Sequence, residues 1–79
     1  MAEKTLKEEK LARDEAAEEL RTLADEIEGD GPADVQIGNK TVSLSPPSTI
    51  AYEVGVRESS SILRGNRETI TVKMDWKPE

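Results

Sequence analysis

Carboxylates are the most abundant reactive groups in this chain, and two pairs of them have the spacing of helix neighbours. Asp14 and Glu18, and likewise Glu15 and Glu19, lie four residues apart, the separation at which side chains on a helix meet and can share a cation or a proton. The rest of the sequence supports neither use. None of the 79 residues is cysteine or histidine, which removes disulfides, thiolate nucleophiles, Cys-type zinc sites, and the commonest metal ligand and general base. No Gly-rich phosphate loop occurs, nor a nucleophile with a partnering base. The carboxylate pairs therefore read as a solvated acidic face. The expectation is a protein without catalytic residues, cofactor or metal, with a divalent-cation buffer ranking third among the functional readings.

A second group with possible chemistry is cationic. Arg57, Arg64, Arg67 and Lys73 gather near the C-terminal end of a chain whose formal net charge is −6. Residues 1–34 hold 5 basic and 12 acidic side chains, whereas residues 35–79 hold 6 and 5. Binding to single-stranded nucleic acid couples such cations to aromatic stacking platforms. The only aromatics are Tyr52 and Trp76, and both share strand parity with aliphatic residues, which places them on the apolar face. The acidic balance also opposes general attraction to phosphate or to an anionic membrane. The same cations could instead pair with the acidic segment of this chain or of another copy.

These groups need elements to hold them. From Arg13 to Glu28 the apolar residues Ala16, Ala17, Leu20, Leu23, Ala24 and Ile27 recur at intervals of three and four, the stripe of an amphipathic helix. Gly29-Asp30-Gly31-Pro32 stops it. Its start has no Ser or Thr cap, because Ala12 occupies that place. The period then becomes two. Val35 and Ile37, followed by Val42 and Leu44, flank Gly38-Asn39-Lys40, where glycine and asparagine are expected to supply the positive φ angles of a hairpin turn. Asn39-Lys40-Thr41 fits the glycosylation pattern, but the turn explains it better. After Pro46-Pro47, Ile50, Tyr52, Val54 and Val56 alternate with polar or small residues, as do Ile70, Val72, Met74 and Trp76. The residues between, from Ser59-Ser60-Ser61 to Arg64-Gly65-Asn66, are expected to form a hairpin loop. Lys4 to Glu9 is a candidate edge strand carried by Thr5 and Leu6.

The expected fold is thus α+β in the order β-α-β-β-β-β, one domain over residues 1–79, with one amphipathic helix packed on an antiparallel sheet of four to five strands. A chain this short buries only about 60% of its unfolded surface, and 34% apolar residues without phenylalanine make a thin core. The N-terminal residues lack the apolar run of a signal peptide, and no membrane-length stretch follows, so the expected location is the cytoplasm and no membrane contact is expected.

The helix sequence from Arg13 to Gly29 together with the closing Ile70-Thr71-Val72-Lys73-Met74-Asp75-Trp76 resembles the amphi-Trp domain family over residues 3–77. These are small proteins, frequent in haloarchaea, with such a helix, alternating strands, and a terminal amphipathic strand finishing at tryptophan. The resemblance implies this fold and a salt-rich habitat, which the acidic balance suits. It implies no established activity. Ala12, where a Ser or Thr cap is usual, and a serine-rich loop over residues 58–66 depart from the pattern.

Two functional classes follow. The leading expectation is a non-enzymatic structural or protein-interaction module, self-associating as a homodimer and able to take another protein partner, with Trp76, Met74 and Tyr52 as interface residues. The alternative is a weak single-stranded nucleic-acid binder using the basic hairpin of Arg57, Arg64, Arg67 and Lys73.

Overall fold

The computed structural model describes Lys4 and residues 6–78. It contains one helix, α1 (Arg13–Glu28), followed by four strands: β1 (Ala33–Ile37), β2 (Lys40–Leu44), β3 (Ala51–Ser61) and β4 (Gly65–Asp75). The chain divides into two compact units, one running to Pro46 and the other Pro47–Lys77. The fold class is α+β, as the change of period from 3.6 to 2 requires. The pairing differs from a single four- or five-stranded sheet: β1 pairs only with β2 and β3 only with β4, both antiparallel. Lys4 and Leu6–Glu9 form no strand, and Thr5 lies outside the described residues. With one large apolar side chain, Leu6, that segment has too little to bury against a sheet edge.

In the first unit α1 packs against β1. Leu23 and Ile27 are half-buried, as are Val35 and Ile37 on β1 and Val42 and Leu44 on β2. Ala33, at the start of β1, is fully buried. The Glu26 carboxylate accepts a hydrogen bond from the Asp34 backbone N–H at 2.9 Å, tying the helix end to the first strand. The apolar stripe of α1 is covered only in part, because Ala16, Leu20 and Ala24 remain exposed. Two short strands ~4.8 Å apart form a hairpin narrower than the helix face.

Ala12 is the N-cap residue, in extended conformation and without a side-chain cap bond. The capping interaction that survives runs the other way: the Ala12 N–H donates to Glu15 Oε1 at 3.2 Å. The Glu15 N–H, which a Ser or Thr hydroxyl at the cap would take, donates instead to Asp14 Oδ1 at 3.0 Å. Ala12→Ser completes the capping box but replaces that existing contact, so it is expected to stabilise the protein by only about 0.5 kcal/mol, the low end for a cap. Thermal melts followed by circular dichroism should show a rise of roughly 2–4 °C.

The first hairpin turn has register Ile37↔Lys40, which leaves Gly38-Asn39 as its two central residues. Gly38 has φ +62°, but no non-glycine residue has positive φ among the described residues. Glycine alone supplies the left-handed conformation here, the pattern of a type II′ rather than a type I′ turn. The expectation that Asn39 shares it is corrected.

The second unit is a long two-stranded ribbon. Its ladder runs without interruption from Ala51↔Asp75 to Ser61↔Gly65, so the serine run and Gly65-Asn66 belong to strands rather than to a loop. The connection is only Ile62-Leu63-Arg64. Gly65, at φ +78°, closes it, as in three-residue hairpins that end on a left-handed glycine. Ser61 Oγ accepts hydrogen bonds from the N–H groups of Leu63 and Arg64 at 3.3 and 3.2 Å, bending the chain at the tip. β4 ends at Asp75, one residue before Trp76, which is half-buried.

Candidate functional site: the two faces of the ribbon

Because side chains alternate across a strand, the β3–β4 register assigns each residue to a face. One face carries the cross-strand rows Tyr52↔Met74, Val54↔Val72 and Val56↔Ile70, and then Glu58↔Glu68. The other carries Glu53↔Lys73, Gly55↔Thr71, Arg57↔Thr69 and Ser59↔Arg67. The pattern of a half-buried strand pair is therefore present, but the apolar face is open: Val56 and Ile70 are 71% and 73% exposed, and Tyr52, Val54 and Val72 are exposed as well. Of the interface residues anticipated from the sequence, Tyr52 and Met74 stand directly opposite each other, and Trp76 follows Met74 by two positions. Met74 and Trp76 are half-buried.

The sequence reading missed how far this face extends. It singled out the three residues near the ribbon base, whereas the open apolar surface continues through Val54, Val72, Val56 and Ile70. Their parity was visible in the sequence; their lack of cover was not.

The basic residues do not converge on one site. Arg57 and Arg67 are diagonal neighbours on the polar face, about 7–8 Å apart at that register. Lys73 lies further along, opposite Glu53, and Arg64 sits in the tip. Tyr52, the aromatic residue of the ladder, stands on the opposite face, separated from these cations by the thickness of the ribbon. Glu58 and Glu68 oppose each other on the apolar side, a like-charged row that disfavours an anionic ligand there.

On α1, Asp14, Glu15, Glu18 and Glu19 line a shallow, open groove with Arg21 and Thr22. Arg21 and Glu18 approach at 3.5 Å, both well exposed. No cluster of three metal-ligating side chains occurs among the described residues. Lys7 pairs with Glu9 at 3.1 Å. That hydrogen bond, the accompanying attraction to Glu9 and a weaker one to Glu19 raise the Lys7 ammonium above its ordinary pKa, while burial acts the opposite way. Lys7 therefore stays charged to higher pH than a free lysine.

Beside it, Leu23 of α1 and Val35 of β1 line a cleft of about 460 Å³ whose charged lining is Lys7, Glu19, Glu26 and Asp34. No helix among the described residues is long and apolar enough to cross a membrane.

Comparison with curated proteins and with solved structures produced no match. The family model of the Amphi-Trp domain matches residues 1–79, the whole chain, and with its acidic helix and closing Met74-Asp75-Trp76 the protein belongs to the Amphi-Trp domain family.

Proposed function

We propose that this protein is a non-enzymatic interaction module that self-associates as a homodimer through the apolar face of the β3–β4 ribbon. The observation that carries this reading is the exposure of Tyr52, Val54, Val56, Ile70 and Val72 on one side of an uninterrupted eleven-row ladder. An isolated two-stranded hairpin is marginally stable in water and needs a packed apolar face to persist. Fully covering an apolar side chain of this size contributes about 1.5–3 kcal/mol, so four partly exposed aliphatic ones and the Tyr52 ring supply a driving force comparable to micromolar association, about −8 kcal/mol. Packing a second copy on the same face is self-complementary, which closes the assembly at two chains.

Trp76 gives a direct readout, since it is the only tryptophan and follows Met74 of this face by two residues, just past the end of β4. Its fluorescence is expected to shift to shorter wavelength as protein concentration is raised from nanomolar to about 100 micromolar, a range that spans the micromolar affinity expected here. Emission that is independent of concentration, alongside a light-scattering mass of one chain, contradicts the reading. The same module acts in the cytoplasm, in a salt-rich setting that the negative net charge suits.

The nucleic-acid alternative draws support only from Arg57 and Arg67 being neighbours. The placement of Tyr52 on the opposite face makes it the weaker reading. It predicts a salt-sensitive mobility shift with single-stranded oligonucleotides that Arg57→Ala with Arg67→Ala abolishes.

A further inference from the structure

The ribbon has two edges as well as two faces. β3 and β4 pair only with each other, so along each strand every second residue turns its backbone N–H and C=O outward, with no strand to receive them among the described residues. Protein edges of such length are ordinarily blunted by lysine, proline or a bulge. β4 carries Lys73. β3 has none of these, its ladder is continuous, and every one of its residues is exposed.

Two residues of β3 are unexplained within their own ribbon. Gly55 interrupts a run of strand-favouring residues, yet its φ is not positive, and a Cβ there would meet no described atom within 4 Å. A glycine inside a strand weakens it and marks the close approach of another backbone. Arg57 faces Thr69, with Thr71 and Arg67 as diagonal neighbours, so its own ladder sets no carboxylate beside it on that face.

One pairing explains both. We propose that the β3 edge of one copy pairs antiparallel with the β3 edge of a second copy, about a two-fold axis through Gly55. In this register Gly55 meets Gly55, Val54 meets Val56 twice on the apolar side, and Glu53 meets Arg57 twice on the polar side. Opposite charges and β-branched residues set directly across from each other stabilise a sheet. Moving the axis to Val54 or Val56, the nearest registers that keep the apolar faces together, sets Glu53 against Gly55 or Ser59 and leaves both ion pairs unmade. On β4 the comparable pairing, about Thr71, brings Arg67 only to Asp75, the last residue of its strand. The ribbon becomes half of a four-stranded sheet in the order β4-β3-β3-β4, enough strands to persist in water where two are marginal. The edge contact is separate from the face contact proposed above and compatible with it: two such sheets stacked on their apolar faces close at four chains.

Charge exchange tests the register. Glu53→Arg makes both polar rows cation against cation, and Arg57→Glu makes both carboxylate against carboxylate, so either variant alone is expected to weaken edge pairing by about tenfold or more. A mixture of the two variants restores both ion pairs, because each chain offers the charge the other lacks. A single chain carrying both substitutions restores them too. Masses are read by light scattering at about 100 micromolar in about 0.1 M KCl, where surface charges act over ~10 Å. The unaltered protein, the mixture and the double variant are expected at four chains, and each single variant at two. In about 2 M KCl, where the ion pairs are screened, the unaltered protein is expected to fall back toward two. A single variant that keeps the mass of the unaltered protein overturns the edge pairing and leaves the face contact standing. An unaltered protein of two chains that both single variants take to one, with the mixture restored to two, upholds the edge pairing and overturns the face contact. A mixture no heavier than the single variants overturns the register, and a mass of one chain for the unaltered protein overturns both contacts.

Discussion

Val72→Asp is expected to turn the associated protein into a monomer, while Thr71→Asp, one residue away, leaves its mass unchanged. The two positions are adjacent on β4 but face opposite ways: Val72 pairs with Val54 on the apolar side and Thr71 with Gly55 on the polar side. Each substitution places the same charge in the same strand, so losses of strand propensity cancel in the comparison. They differ in the fate of the carboxylate. At position 72 it would be trapped in an apolar interface with no partner, and a two-fold axis brings a second one in from the other copy. Burying an unpaired charge costs about 3–5 kcal/mol, and each ~1.4 kcal/mol is tenfold in affinity, so association should weaken by roughly a hundredfold or more. Light scattering at about 100 micromolar, well above the micromolar affinity expected of the unaltered chain, checks this. Val72→Asp remaining a dimer, or Thr71→Asp dissociating equally, contradicts the assigned face. Because an uncovered two-stranded ribbon is only marginally stable, circular dichroism is expected to show strand signal lost on dissociation in Val72→Asp and kept in Thr71→Asp.

A rise in stability with salt is the second large effect. Residues 1–34 carry 12 acidic and 5 basic side chains, and α1 places Asp14 with Glu18 and Glu15 with Glu19 one turn apart. Each such like-charged pair destabilises a helix by about 0.2–0.5 kcal/mol. The compensating ion pairs among the described residues, Lys7–Glu9 and Arg21–Glu18, lie at the surface and are of a kind that contributes little. Both acidic side chains in the first turn, Asp14 and Glu15, gain from the helix dipole, but no basic residue stands in the last turn to complement its negative end. At about 1 M salt the Debye length falls to ~3 Å, which removes the repulsion between helix neighbours. The melting temperature should climb by roughly 2–8 °C between about 0.1 and 2 M KCl. A flat or falling temperature would show that repulsion on α1 is not a significant destabilising influence.

Local signals in this sequence were legible because they are local in physics. The helix bounds follow from a 3.6-residue apolar period stopped by Gly29 and Pro32, and the first hairpin follows from alternation around a positive-φ glycine. The alternating parity of β3 and β4 also follows, which is why Tyr52 and Met74 could be placed on one face. The serine run misled because Ser and Asn favour turns in isolation. In the ribbon they continue a ladder nucleated by stronger strand residues on both sides, and the left-handed Gly65 sets the tip one step after Arg64. The separation into two sheets was not legible. Which strands share a sheet depends on non-local pairing, and two amphipathic hairpins carry the same alternation whether or not they join. For the same reason the sequence placed Tyr52 and Met74 on the apolar face but did not show how much of that face lacks cover.

Sedimentation equilibrium of the unaltered chain in about 2 M KCl, from roughly 1 micromolar to 1 millimolar so as to bracket the expected affinity, tests self-association most directly. The account predicts a mass approaching twice the 8.7 kDa of one chain at the upper concentrations. A mass of one chain throughout the range would contradict it.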